Sequence, residues 1–331
     1  MTYLRNRDNC PLIRLNINDF SGQPGAFCMS YGFDNSQLIK SINSVGLINY
    51  PYIVKNRDQQ IELITGFRRI LALKELNVKE VSCFDLTDLD ISPYEMLMLA
   101  VYDNLFIREF NIVEKSLIIN MLSQLVKGKG LLNEVCSLIN INQKDYKLFL
   151  RINMLDETIK QFISRGVLHI KTVESLISMD KEDALLLSDW INKLKLSYSY
   201  QLQCVDYLND ISRINKTSIC SILNDTFFTE LLRDEKKNIP QKAREFMDHL
   251  RVKRNPEFSK YQKLFEKTVK NLNLPVNVRV QNPQFFESKG YRMEIDFDNG
   301  KTLRNTLMEI TDIKYNLEAL KDPWLNESDE I

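Results

Sequence analysis

The chain has 331 residues, room for two to four domains, and its 44 basic residues balance its 44 acidic ones, so net charge names no partner. A hydrophobic content of 44% with ten glycines indicates a folded, helix-rich soluble protein. No apolar run approaches the roughly 18–20 residues of a membrane span, MTYLRNRDNC has no signal-peptide core, and His169 and His249 lack metal-ligand spacing. Six cysteines (Cys10, Cys28, Cys83, Cys136, Cys204 and Cys220) lie far apart with no C-x-x-C pair, as expected of reduced structural thiols in a cytoplasm.

In chain order, residues 12–17 read as a strand and residues 36–45 as a helix ended by Gly46. Pro51 opens a strand over Tyr52-Ile53-Val54, Asn56-Arg57-Asp58 makes a turn, and residues 61–64 return as its hairpin partner. Gly66 follows, then Arg68 and Arg69 at the start of an amphipathic helix marked by Ile70, Leu71, Leu73 and Leu76. Cations at that end oppose the helix macrodipole. An anion held by the glycine turn and the helix N-terminus would resolve the conflict; the alternative is two exposed arginines paired with Glu62 or Glu75. Val81-Ser82-Cys83-Phe84 adds a further strand, giving a small α/β domain over residues 1–110.

From about residue 92 the pattern turns helical, with Met96, Leu97, Leu99 and Ala100 at helical spacing. Asn111 and Glu114 form a capping-box signature for a helix over 112–126 that stops near Gly128 and Gly130. Within residues 131–155, Leu132, Val135 and Leu138 mark one helix, Asn140-Ile141-Asn142 breaks it, and Tyr146, Phe149, Leu150 and Ile152 mark another. This spacing predicts a helix-turn-helix in an all-helical domain over 111–235. The second helix of that motif meets DNA by its first residues, which here are Asn142, Gln143, Lys144 and Lys147, with Arg151 further along. Asn and Gln suit adenine edges, and Lys suits guanine or phosphate; the alternative is a solvated stripe. Tyr146, Phe149 and Phe162 are expected in the core.

Further helices are expected to start at Asp156, Lys171, Lys181, Thr217, Pro240 and Pro256. The last block, residues 236–331, joins a basic helical segment to a small α+β domain. Val276, Val278 and Val280 alternate, as do Tyr291, Met293, Ile295 and Phe297, before a turn at Asp298-Asn299-Gly300 and a helix over 302–320. Strands with one uncovered apolar face predict dimerisation. Residues 1–114 hold 11 Lys/Arg against 14 Asp/Glu, a net of −3, whereas residues 233–270 hold 12 against 6, a net of +6. A basic segment in a neutral chain is either a nucleic-acid footprint or a solvated helix face.

The order Gly66-Phe67-Arg68-Arg69, helix and strand, Asp103-Asn104 with Arg108, Asn111 and Glu114, then the helix-turn-helix resembles ParB-type partition proteins. Gly46-Leu47 with Pro51 and residues 161–168, QFISRGVL, fit the same family over roughly residues 10–180. The resemblance implies a mostly helical α+β chain with a ParB/sulfiredoxin-like N-terminal domain. It also implies a cytoplasmic, nucleoid-associated homodimer that binds double-stranded DNA site-specifically and works with a ParA-type ATPase. Family members close on DNA with CTP and magnesium. Gly66, Arg68, Arg69, Asn104 and Arg108 are then the nucleotide-binding residues, and Asp103 with Asn104 the magnesium ligands. The chain departs from the family pattern at Phe67, where a glutamate is usual, at Asp103, also usually glutamate, and in an arginine set one place later. An early Gln-Pro-Arg element survives only as Gln23-Pro24-Gly25. At most a slow CTPase is expected. The second reading is a transcription or plasmid-replication regulator without nucleotide turnover. A third reading is a nuclease or a sulfiredoxin-like enzyme on the same N-terminal fold; sulfiredoxin-like chemistry would need a cysteine in the phosphate loop, and Cys83 lies well beyond Gly66.

Overall fold

The computed structural model describes residues 10–105, 107–126, 129–282, 291–312, 317 and 320. The chain is mostly helical, an α+β protein with two small sheets among the described residues, and it divides into two compact units, Met1–Leu202 and Gln203–Ile331. None of the helices described is long and apolar enough to cross a membrane.

The first unit opens with β1 (Leu12–Asn16) and a 3-10 turn (Ile17–Asp19), then α1 (Ser36–Val45), β2 (Tyr52–Lys55), β3 (Ile61–Leu63), α2 (Phe67–Glu75) and β4 (Glu80–Asp85). The sheet order is β1-β4-β2-β3, with β2 and β4 parallel and the other pairs antiparallel. Parallel pairing needs a crossover, and the connection through β3 and α2 supplies it. Ile42 of α1 and Ile70 and Leu73 of α2 close over Ile53, Val81 and Cys83 of the sheet. Asn56 Oδ1 accepts from the Asp58 and Gln60 amides, which fixes the β2–β3 hairpin where its sequence calls for one.

Helices α3 (Pro93–Leu105), α4 (Ile112–Leu125), α5 (Lys129–Leu138), α6 (Tyr146–Asn153), α7 (Glu157–Ser164), α8 (Ile170–Leu176) and α9 (Lys181–Leu194) follow, and α10 (Tyr198–Asn215) comes next. Asn111 caps α4 in a complete capping box with Glu114. Helix α6 begins one 3-10 turn later than its sequence suggests, since residues 143–145 form that turn. Its Phe149 and Ile152 are buried, and it packs chiefly on α4.

The second unit holds α11 (Ile219–Leu223), α12 (Thr226–Arg233), α13 (Ile239–Arg254), α14 (Pro256–Asn271), the antiparallel pair β5 (Val278–Gln281) and β6 (Arg292–Ile295), and α15 (Gly300–Asp312). The helix expected over 302–320 is present to Asp312, and most of its remainder lies outside the described residues. In the basic segment, Lys237 pairs with Glu245, Arg251 with Asp248, Lys253 with Asp225 and Arg254 with Asp210. Part of its charge is therefore spent inside the unit. Lys260, Lys263, Lys267 and Lys270 of α14 lie exposed along one helix face.

Candidate functional site

Gly66 sits at φ +92° as the N-cap of α2, a left-handed conformation that glycine alone adopts freely. A Cβ there would stand 3.0 Å from Pro51 Cβ and 3.1 Å from Arg69 Nε, so a side chain would add tight contacts with the proline and the arginine to the strain of the left-handed backbone. Phe67, the first residue of α2, turns inward: it is buried, with its ring edge-on to Phe33 at 6.3 Å.

Arg68 and Arg69 take separate partners. Arg68 donates from Nε to Asn35 Oδ1 at 3.1 Å and from Nη2 to the Asp34 carbonyl at 2.7 Å, and its guanidinium lies 4.9 Å from the Phe33 ring centre. Arg69 donates from Nη1 to the Asn49 carbonyl at 2.8 Å and from Nη2 to Thr65 Oγ1 at 3.4 Å, and it forms a short ion pair with Asp103. Neither uses Glu62 or Glu75, the acids nearest in sequence.

These groups line one cavity of about 500 Å³, within the usual range for small-molecule sites. Its wall includes Gly66, Arg68, Arg69, Asp103, Asn104 and Arg108, so all six N-terminal candidates converge there. Three arginines face one aspartate among the charged lining residues. Burial first, and then the positive charge of Arg108, pull the Arg68 pKa below the usual arginine value. An anion between these cations would relieve both effects. Much of the remaining wall is apolar, with Phe27, Met29, Leu38, Ile42 and Ile64, which suits a flat ring.

Arg108 donates from Nη1 to Glu114 Oε2 at 2.5 Å and from Nη2 to Ser30 Oγ at 3.4 Å, while its buried Nε has no hydrogen-bond partner. Glu114 is 1% exposed and also accepts from the Tyr31 and Asn111 amides. Asn104 donates from Nδ2 to the Ala100 carbonyl at 2.8 Å, which leaves its Oδ1 as the atom able to ligate. Asp103 and Asn104 are hard oxygen donors one residue apart, enough for a magnesium ion that takes its other ligands from phosphate and water. They fit that ion on condition that Asp103 loosens its hold on Arg69. No larger cluster of His, Cys, Asp and Glu that could hold a metal occurs among the described residues.

The second group of candidates stands apart from the cavity. Asn142, Gln143, Lys144, Lys147 and Arg151 are exposed on the 3-10 turn and outer face of α6. Arg151 also donates to the Ile177 carbonyl at 2.9 Å, a structural bond that sequence spacing did not disclose. The contributions of Ser30, Asp34 and Asn35 to the first site went unforeseen too, since loop residues far away in sequence carry no periodic signal.

An arginine-lined cavity in a small α/β domain, followed by a helical pair with an exposed polar face, makes a cavity-bearing module joined to a helical module. No protein-family model matches the chain. A probable chromosome-partitioning protein ParB of Campylobacter jejuni is 28% identical over 178 residues, which cover 53% of this chain and 62% of that protein. The match thus spans about three fifths of that relative's length. Over that span the chain is similar to a ParB-type partition protein. Two crystal structures of C-terminally truncated ParB from Caulobacter crescentus are also similar. The complex with CTP-γ-S is 14% identical with a TM-score of 0.26, over 55% of this chain and 98% of that one. The complex with the centromeric parS site is 15% identical with a TM-score of 0.34, over 57% and 96%.

Proposed function

We propose that the chain is a DNA-binding partition protein whose N-terminal cavity takes a nucleoside triphosphate, CTP by the motif resemblance. The observation that carries the reading is the convergence of Gly66, Arg68, Arg69, Asp103, Asn104 and Arg108 on one cavity, although the sequence separates them into two groups. A triphosphate brings about four negative charges, and a glycine turn, a helix N-terminus and three arginines are suited to meet them. Asp103 and Asn104 would hold magnesium, which supplies charge neutralisation on the phosphates. The likeness to a chromosome-partitioning protein supports the cellular role.

Helices α5 and α6 form the helix-turn-helix of this reading, with Asn142, Gln143, Lys144, Lys147 and Arg151 directed to DNA. Helix α6 is anchored by Phe149 and Ile152 and keeps its basic face clear. The exposed apolar side chains Val276, Met293 and Phe297 support a homodimer through the second unit. The protein acts in the cytoplasm on the nucleoid, with a ParA-type ATPase as partner. Turnover of CTP is slow or absent, because Phe67 is packed against Phe33 where a carboxylate would be needed to position water or metal. A regulator that binds DNA and lacks turnover is the second reading, favoured by the same residue.

Calorimetric titration with each of the four nucleoside triphosphates, with and without magnesium, tests the cavity. Selection from a random duplex pool tests the helix pair. Heat with CTP and magnesium and an enriched duplex are expected. No heat with any of the four removes the nucleotide, and no enrichment removes site-specific DNA binding.

A further inference from the structure

The loop over residues 25–33 has two jobs. Its first part, Gly25, Phe27, Cys28, Met29 and Ser30, lines the cavity. Its next two residues lie along α7 in the helical part of the same unit. Tyr31 donates from its hydroxyl to Glu157 Oε1 at 2.5 Å, at the first residue of α7. Gly32, at φ +62°, sits so close to Ser164, the last residue of α7, that a Cβ on it would meet Ser164 Oγ at 2.3 Å. The loop therefore touches both ends of the helix.

The same loop is tied to the cavity through one buried carboxylate. Glu114 takes Arg108 Nη1 at 2.5 Å on one oxygen and the Tyr31 amide at 3.2 Å on the other. Asn111 adds a bond from Nδ2 to the Tyr31 carbonyl at 3.0 Å. Arg108 itself lines the cavity. The line of contact runs from cavity to Arg108, Glu114, Tyr31 and Glu157. Glu114 belongs to the first turn of α4, and α4 is the helix on which both α6 and α7 pack.

An anion that draws on Arg108 competes with Glu114 for the same guanidinium, and a ligand that fills the cavity presses on residues 27–30. Both effects act on the backbone to which Tyr31 is fixed. We infer that the Tyr31–Glu157 hydrogen bond, with the Gly32–Ser164 contact, is a latch. It is closed while the cavity is empty and released when a phosphate-bearing ligand occupies the cavity, and it reports occupancy to α7 and the helical part of the unit. The inference rests on the nucleotide reading of the cavity and names the regulation of that site. Tyr31 and Glu157 are positioning residues: neither lines the cavity. A coupling of this kind requires an element with two arrangements that both sites bias, and the latch is that element. The bond is accessible, since Glu157 is exposed, so its making and breaking costs little and is easily biased.

The test is hydrogen exchange of the full chain with and without CTP and magnesium, alongside calorimetry of the same samples. In the parent, CTP should speed exchange of amides in residues 28–32 and 158–166 by about three- to tenfold, the worth of one partly exposed hydrogen bond to a carboxylate. In Tyr31→Phe and in Glu157→Gln these amides should already exchange at the fast rate without CTP and respond no further, and calorimetric affinity for CTP should rise by up to about the same three- to tenfold, because the ligand no longer has to release the latch. Heat with CTP and unchanged exchange over 158–166 in the parent would overturn the latch and leave the nucleotide reading standing. Absence of heat with CTP would remove both. Variants that melt earlier and keep the parent's exchange response would assign Tyr31 a purely structural role, and that result also refutes the latch.

Discussion

Replacing Arg69 by Ala should damage two properties that different measurements separate. Arg69 holds Asp103, and the two side chains are only 12% and 16% exposed. Removing one partner of a fully buried pair costs roughly 3–5 kcal/mol, and partial exposure here brings the expectation to about 2 kcal/mol. The Asn49 carbonyl and Thr65 hydroxyl lose a donor as well. For a unit of this size each kcal/mol is about 2–4 °C, so the melting temperature should fall by about 4–8 °C. Loss of one charge-assisted phosphate contact should weaken CTP binding roughly ten- to a hundredfold. The double variant Arg69→Ala with Asp103→Asn distinguishes the two, because a neutral amide tolerates partial burial without a cation. Its melting temperature should recover most of the loss while CTP affinity does not. Differential scanning calorimetry and titration calorimetry on the three variants form a double-mutant cycle. A melting temperature for Arg69→Ala within 1 °C of the parent would show that the pair carries no stability, and full recovery of affinity in the double variant would refute the phosphate contact.

Asp103→Asn alone should remove the magnesium dependence of CTP binding more than the binding itself, read by titrations with and without the metal. Lys147→Ala should weaken DNA binding across all sequences and lower the salt slope by about one, whereas Gln143→Ala should relax sequence choice; equal binding by both variants and the parent at low and high salt would sink the helix-turn-helix assignment. His249 stacks on Phe227 at 3.7 Å, and burial, followed by the positive charge of Lys253, lowers its pKa below the ordinary imidazole value, against the opposing carboxylates Asp225 and Glu245. The unfolded chain then takes up the proton first, so the urea midpoint of the second unit should be level above about pH 7 and fall as pH drops below about 6.5; His249→Gln should flatten that fall between pH 7 and 5. Removal of residues 273–331 should convert a dimer to a monomer in sedimentation, and an unchanged dimer would place the interface elsewhere.

Local signals carried most of the fold. Gly46 ends α1, the Asn56 turn joins β2 to β3, and Asn111 with Glu114 caps α4, each because the residues that decide the structure are neighbours in the chain. The helical pattern of the sequence marks no start for α10 or α12. For α12 a signal existed, since Asp225 Oδ1 accepts from the Phe227 amide as an N-cap. The cavity was legible as a set of residue types but not as a set of partners. Arg69 meets Asp103 across 34 positions and Tyr31 meets Glu157 across 126, and no periodicity or capping rule reaches that far. Tertiary packing alone decided those pairings.

The buried face of α6 and the exposed stretch formed by the turn before it and its outer face answer to different masters. Phe149 and Ile152 secure the helix to α4, and any exchange there is paid in kilocalories of folding free energy. Asn142, Gln143, Lys144 and Lys147 face water and contribute little to that fastening, so substitutions among them should stay within about 0.5 kcal/mol of neutral. Related chains can therefore diverge at these four positions without first acquiring compensating changes in the core and, on the proposed DNA-binding reading, change their DNA preference as they do so. Arg151, tied to the Ile177 carbonyl, is the position on that face where drift should be slowest.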